Sequence, residues 1–399
     1  MRGKAMKKAR PLSGGILGPE ESPPVRVLIV GPTPPPRNGM SVTTAILAPG
    51  LRRRGLNVSL LDTADRRGLR HMGQLDVGNV LGALRAGIAF IYLLMRFRPK
   101  VVYVPIAQNS LGFLRDAVFL LPSRLLRKNV VIHLHGCAFL PFYHSANPLL
   151  RWLIRVCLSN VRTAVVLGPS AERQFDSILP KNRIRIVANG VSDLQEMGAH
   201  HATEGRQGAN HLVLYLSCLT LLKGFLDVLD AVPLLSDLPH VTFAFAGEYS
   251  REEAESAAAA RLADHAIAGR VHVLGPVDGT LAADLLRSAS VLVLPAIQVE
   301  GQPLCILEAF STATPVITTR SGCIVDTVVD GYNGMFVEPR RPDDIAAAIR
   351  RIVCDPRAHA LLSRGARDTY EAKHQAERWC ADMAEILRDA AQSQVSTPV

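Results

Sequence analysis

Short apolar runs rich in Val, Leu and Ile alternate with longer amphipathic stretches along nearly the whole chain, in two successive blocks. In the first block the runs are Arg26–Val30, Asn57–Leu61, Val101–Pro105, Val130–Leu134, Ala164–Leu167 and Arg185–Val187. Helical stretches lie between them at Ser41–Arg54, Asn79–Arg98, Leu111–Arg127 and Pro148–Asn160. The alternation lapses over Asp193–Asn210 and restarts with Leu212–Leu216, Val241–Ala246, Val271–Leu274, Val291–Leu294 and Pro315–Thr318. Such runs are too continuously apolar to have one face in water, so they predict parallel strands covered by helices on both sides. Two such blocks predict an α/β protein of two Rossmann-like domains facing each other across a cleft. In sheets of this kind ligands bind beyond the carboxyl ends of the strands. The boundaries read as a flexible basic tail over 1–24, a first domain over 25–195, a linker over 196–210 and a second domain over 211–374. A final helix over 375–392, carrying Trp379, is expected to pack back on the first domain.

At 399 residues the chain exceeds what one ordinary core organises, which agrees with two domains. With 20% charged residues it falls among folded globular proteins. The longest apolar run, Ile88–Met95, is about half of the roughly 20 residues that span a bilayer, so it reads as a core helix or a surface-associated one. The basic start lacks the apolar stretch of a secretory signal. Seven widely spaced cysteines without a Cys-x-x-Cys argue against a zinc site or a disulfide framework and for a reducing cytoplasm.

Charge is divided unevenly. Residues 1–190 hold 28 Lys and Arg against 8 Asp and Glu, while the remainder holds 17 against 27. No nucleic-acid-binding module accompanies the basic half, and aromatic residues for base stacking are few, so nucleic acid is not the expected partner. An anionic membrane surface is, through clusters at Arg52–Arg54, at Arg66, Arg67 and Arg70, and at Arg96, Arg98 and Lys100.

The richest segment for chemistry runs from Val291 to Pro339. A strand leads into a loop with Glu300 and Gly301, and a helix begins near Pro303, where the missing amide hydrogen costs nothing. The first amides of that helix, at Leu304, Cys305 and Ile306, are expected to be free and to face the cleft with the positive end of the helix dipole behind them. That arrangement suits a diphosphate. Glu308 follows about one and a half turns later, where a carboxylate can accept hydrogen bonds from a ribose diol.

The Glu300-x(7)-Glu308 spacing, followed by Ala309 and then by PVITT, SG and DGYNG, resembles the signature of the family 4 retaining glycosyltransferases, which have the GT-B fold and make bacterial polysaccharides among other products. The resemblance implies that Glu300 lies by the donor sugar and that Glu308 binds the ribose. The segment Leu214–Gly224 (LYLSCLTLLKG) resembles the strand, loop and helix that bear an Arg and a Lys on the diphosphate; Lys223 matches the Lys, whereas Cys218 stands where the family has its Arg. His135, at the end of VVIHLHG, matches the histidine that approaches the donor sugar, and His133 is read as pointing to the opposite face of the sheet, or nearly so, as a core or supporting residue. Gly39 is the surviving member of a glycine pair that lets the backbone approach the diphosphate, and Asn189-Gly190-Val191 resembles the family's hinge turn.

The implied activity is transfer of a hexose-type sugar, with retention, from a nucleoside-diphosphate sugar to an acceptor hydroxyl on a lipid-linked or saccharide precursor. Glu300 and His135 form the catalytic pair. Lys223, Glu308, Gly39, Gly301, Leu304, Cys305, Ile306 and Cys218 surround the donor. No metal or other cofactor is expected, since no Asp-x-Asp occurs and Lys223 with the helix start can carry the leaving charge. The expected location is the cytoplasm, with peripheral attachment to the inner face of the membrane. A nucleotide-sugar epimerase on the same fold, or a catalytically idle nucleotide-sugar-binding protein, are the other readings.

Overall fold

The structure, a computed structural model, describes residues 23–67, 76–196, 210–264, 267 and 269–392. The expected tail therefore falls almost wholly outside the described residues, as do most of the expected linker and Arg70.

The first sheet contains β1 (Arg26–Gly31), β2 (Asn57–Asp62), β3 (Val101–Ile106), β4 (Asn129–Leu134), β5 (Val161–Val166) and β6 (Ile184–Ile186), in the order β2-β1-β3-β4-β5-β6. The second contains β7 (His211–Leu216), β8 (Val241–Ala246), β9 (Val271–Gly275), β10 (Val291–Leu294), β11 (Val316–Thr318) and β12 (Gly334–Phe336), in the order β12-β11-β10-β7-β8-β9. Every pairing in both sheets is parallel. Strand order reverses between β1 and β3 in one sheet and between β7 and β10 in the other, which opens a crevice at the carboxyl edge of each. These are two Rossmann-like α/β domains, as the alternation of the sequence requires. β12 has no counterpart in the sequence reading, because three residues beginning with Gly334 carry no periodicity.

Both faces of the first sheet are covered. On one lie α1 (Gly39–Arg53) and α12 (Ala376–Gln392), whose Leu47, Leu51, Trp379, Met383 and Leu387 form a core with Val27, Ile29 and Val131. A Cβ added to Gly50 would meet Cys380 Sγ at 2.3 Å, so α1 and α12 approach more closely there than an alanine allows. Glu377 of α12 binds Arg53 and Arg54 at 2.9 and 2.7 Å, Arg52 donates to the Val58 carbonyl, and Arg66 and Arg67 bind Asp62, Asp65 and Asp76. Each of these arginines thus has an acceptor within the fold.

On the other face lie α2 (Val77–Arg96), α3 (Ser110–Leu125) and α5 (Pro148–Leu158), with the short α4 (Phe139–Ser145) before α5. The apolar run Ile88–Met95 belongs to α2, a surface helix that buries only Gly87, Phe90 and Leu94. The chain crosses between the domains twice. Val191 donates to the His374 carbonyl at 2.9 Å and Ala376 donates to that of Val191 at 3.0 Å, so the two crossings are hydrogen-bonded to each other. Gly190 is required at this crossing, since a Cβ there would lie 2.5 Å from the Gln375 carbonyl oxygen.

Candidate active site

The loops after β1, β4, β7 and β10 converge at the carboxyl edges of the two sheets, and each brings one part of a cluster. After β7, Thr220 caps a single helical turn that carries Lys223, and Gly224 follows at φ 73°. A side chain at Gly224 would add strain and a contact of 2.2 Å with the Pro295 carbonyl oxygen, so this glycine seats the Lys223 turn against the loop after β10. That loop is fixed from the β11 side, where Thr319 donates to the Ala296 carbonyl at 2.6 Å and Ser321 to that of Gln298 at 2.7 Å. The Glu300 backbone lies against Gly322, where a Cβ would meet the Glu300 carbonyl oxygen at 1.8 Å.

Held from both sides, Glu300 meets Lys223 with Nζ to Oε1 at 3.3 Å, and Gln298 Nε2 donates to the same oxygen at 2.7 Å. Burial works against the charge on Lys223, but its neighbours, the Glu300 carboxylate foremost, raise its pKa overall, so it remains an ammonium. Burial pushes the Cys305 thiol up to about 12 and the Cys218 thiol upward as well. Both are therefore protonated at neutral pH and offer no nucleophile. Cys218 does stand beside Lys223, but as a small neutral group.

Helix α9 (Leu304–Ser311) starts directly after this loop, with Pro303 at its N-cap and no side-chain cap. One expectation is corrected here: the Ile306 amide donates to the Pro303 carbonyl at 3.1 Å, because the first turn tightens to close on the proline. The helix start thus offers the amides of Leu304 and Cys305, without that of Ile306. Glu308 is buried within α9 and meets Arg37 of the other domain with Nη2 to Oε1 at 2.6 Å. Arg37 lies in the loop after β1, next to Asn38, which caps α1 and forms a capping box with Ser41. Gly39 begins α1, and a Cβ there would meet nothing within 4 Å, so open space borders the helix start.

His135 follows β4. Its carbonyl oxygen would lie 2.0 Å from a Cβ on Gly301, so the two domains touch through backbone at this point and only glycine fits. Burial lowers the His135 pKa to about 4, leaving a neutral ring at neutral pH that remains partly open to the cleft. The expectation that His133 points away from His135 is overturned, whereas its place in the core holds, since the side chain is fully buried. Its ring lies 3.9 Å from that of His135, and its Nδ1 meets the Tyr103 hydroxyl at 2.8 Å. Residues i and i+2 of a strand share a face, so His133 packs beneath His135 and orients it.

Several cross-domain contacts carry no signal in the sequence. Gln302, held within its own domain by donation to Thr327 at 2.8 Å, accepts from the Asn189 amide across the cleft at 2.6 Å, and Ser170 donates to Asp326 at 2.9 Å. The thiols of Cys137 and Cys323 meet at 2.7 Å. Arg37 is the most consequential omission, because its partner lies 271 positions away and pairing at that range has no local pattern.

Known proteins resemble the chain in both halves. Residues 37–193 match the family described as Glycosyltransferase Family 4, and residues 210–355 match the one described as Glycosyl transferases group 1. Glycogen synthase of Mycobacterium tuberculosis is 29% identical over 217 residues, which is 54% of this chain and 50% of that protein. A D-inositol 3-phosphate glycosyltransferase of Geodermatophilus obscurus is 41% identical over 101 residues, 25% of this chain and 22% of that protein. The chain thus spans about half the length, or less, of these curated relatives. Among solved structures, sucrose-phosphate synthase from Thermosynechococcus elongatus superposes with a TM-score of 0.71 at 16% identity, over 92% of this chain and 98% of that one. Anabaena HepE in complex with UDP-glucose superposes with a TM-score of 0.70 at 16% identity, over 91% and 99%. These likenesses identify the fold as GT-B.

Proposed function

We propose that this chain, which carries a glycosyltransferase family domain in each half, is a retaining glycosyltransferase that moves a hexose-type sugar from a nucleoside diphosphate to an acceptor hydroxyl. The observation that carries this reading is the Lys223–Glu300 ion pair beside the start of the helix that bears Glu308, with the Gly301 backbone against that of His135. A nucleoside-diphosphate sugar presents a ribose diol, a diphosphate and a sugar in that order. The cluster offers a buried carboxylate, an ammonium with free helix-start amides, and a second carboxylate beside a neutral imidazole.

In this reading Glu308 accepts hydrogen bonds from the ribose. Lys223 and the Leu304 and Cys305 amides stabilise the charge that develops on the departing diphosphate, so no metal is needed. Glu300 orients the sugar, and His135, neutral near pH 7, offers a hydrogen bond rather than a charge. The acceptor oxygen attacks the anomeric carbon as the bond to the diphosphate breaks, and the hydroxyl proton leaves on the departing phosphate oxygen. Attack and departure share one face of the sugar, without a covalent intermediate. The acceptor is a lipid-linked or saccharide precursor, reached from the cytoplasmic face of a membrane.

The test is a panel of nucleoside-diphosphate sugars offered with lipid-phosphate and saccharide acceptors, with products identified by mass spectrometry. Nucleoside diphosphate should appear only when donor and acceptor are both present, and the new linkage should keep the donor's anomeric configuration. Turnover of the nucleotide-sugar without an acceptor would instead support an epimerase, and binding without turnover a carrier.

A further inference from the structure

The helix α2 is apolar on two opposite sides. Phe90 and Leu94 enter the core of the first domain, while Val80, Leu84, Ile88, Ile91 and Met95 form a stripe at spacings of three and four on the outer side. The stripe is well exposed: Ile88 is 71% accessible and Met95 61%. A surface helix is ordinarily polar on the side away from its core. The apolar surface continues sideways, since α2 packs on α3 and α3 on α5, and these present Leu114, Leu125 and Trp152 to the outside.

The charge on this layer has one sign. Helices α2, α3 and α5 carry Arg85, Arg96, Arg115, Arg124, Arg151 and Arg155, against the single acid Asp116. Asp116 is buried, accepting from Arg115 and from the Ala107 amide. No exposed carboxylate therefore lies within these helices, and Asp76, which caps α2, is paired with Arg67.

We propose that the outer face of α2, α3 and α5 is a membrane-docking surface that lies flat on an anionic bilayer, with the α2 stripe and Trp152 in the acyl boundary and the arginines among the headgroups. Apolar side chains fringed by cations suit an interfacial helix on anionic lipid. At 20 residues α2 is long enough to cross a bilayer, but Phe90 and Leu94 tie its other side to the sheet, so it lies along the surface. A second copy of the chain is the poorer occupant, because a twofold contact through this face would set arginines against arginines with no acid to answer them.

The placement also serves the site. α2 and α3 begin at the carboxyl edge of their parallel sheet, the edge that borders the cleft, so a bilayer against them lies beside the cleft mouth. This deepens the membrane-facing part of the function proposed above, and rests on that reading only for the acceptor; the docking stands on the surface itself.

The experiment uses the full chain with vesicles of phosphatidylcholine alone or with phosphatidylglycerol added. Co-sedimentation should require the anionic lipid and decline with salt, and tryptophan emission should shift to the blue on binding, a shift that reports Trp152 because Trp379 is already buried. Leu84→Glu/Ile88→Glu should lower vesicle affinity at least tenfold while leaving calorimetric binding of nucleoside diphosphate unchanged, which also shows that the variant is folded. Equal recovery with both vesicle types, or undiminished binding by the double variant, would overturn the proposal. So would a dimer in sedimentation equilibrium that the double variant dissociates in the absence of any vesicle binding, which would assign the face to a second copy. Vesicle binding by a protein that binds no nucleotide would leave the docking standing and sink the transferase reading.

Discussion

The pair formed by Lys223 and Glu300 makes a prediction that separates stability from chemistry. The two charges lie 3.3 Å apart, and their side chains keep only 20% and 11% of their surface. At an effective dielectric near 20 the gross attraction is about 5 kcal/mol, most of it offset by the cost of taking both groups out of water. Glu300→Gln removes the charge but keeps an amide oxygen that can still accept from Gln298. The remaining loss is the charge that answers a mostly buried ammonium. Breaking a fully buried pair costs about 3–5 kcal/mol, and with a fifth of Lys223 still wet about 2–3 kcal/mol is expected. Lys223→Met should cost a similar amount, and the double variant should recover at least about 1 kcal/mol of the summed loss. Urea unfolding followed by intrinsic fluorescence measures all three. The same Glu300→Gln change should lower turnover at least about 100-fold without weakening nucleoside diphosphate binding, since Lys223 is released to meet the phosphates. Single variants within about 0.5 kcal/mol of the parent that add without coupling would show that the pair carries no energy. Weaker diphosphate binding by Glu300→Gln would refute the assignment of Lys223 to the phosphates.

Lys223→Ala should weaken nucleoside diphosphate binding more than loss of any neighbouring cation, and Cys218→Arg should tighten it if the volume is tolerated; calorimetry measures both. Glu308→Ala should cost about 1.5–3 kcal/mol of donor affinity, for a lost charged acceptor. Arg37→Ala should act in the other direction on a nucleoside without phosphates, tightening it two- to tenfold, because the ribose no longer competes for Glu308 with an ion pair worth about 1 kcal/mol; weaker nucleoside binding would refute that competition. His374, buried at the crossing and bonded to the Asn189 carbonyl, has its pKa lowered to about 4 by burial. The unfolded chain takes up this proton near pH 6.5, before the folded one does, so the contribution is whole above about pH 6.5 and lost as pH falls toward 4, by up to about 3 kcal/mol. His374→Gln should flatten the fall of stability over that window in denaturation curves taken at stepped pH.

The legible parts of this protein are those whose cause is local. A strand buried on both faces must be written in Val, Leu and Ile, and β8 (Val241–Ala246) and β10 (Val291–Leu294) have the bounds that their apolar runs define. The Glu300 to Glu308 segment is legible for the same reason, since strand, loop, proline and helix follow one another within one stretch of chain. Elsewhere the deciding contact is non-local, or the strand period decides. The period of a strand places His133 and His135 on one face, and the close contact of their rings follows from it. Arg37 and Glu308, or Cys137 and Cys323, meet only because two sheets face each other, and nothing in either stretch announces its partner.

The basic half of the sequence shows the difference most clearly, because charge counted along a chain says nothing of where partners sit. Of the arginines picked out by clustering, Arg53 and Arg54 meet Glu377 from the far end of the chain, and Arg66 and Arg67 meet acids within their own loop. Of the arginines that face outward from α2, α3 and α5, Arg96 alone belongs to one of those clusters, and the others are scattered through apolar sequence. Three-dimensional packing collects them. Side chains at helical spacing gather on the side opposite Phe90, and the arginines then stand among exposed leucine, isoleucine and tryptophan, with Arg115 alone of the six also paired to an acid of these helices, the buried Asp116. A charge excess of this origin is a property of one surface, and the partner it selects is set as much by the apolar groups between the cations as by the cations themselves.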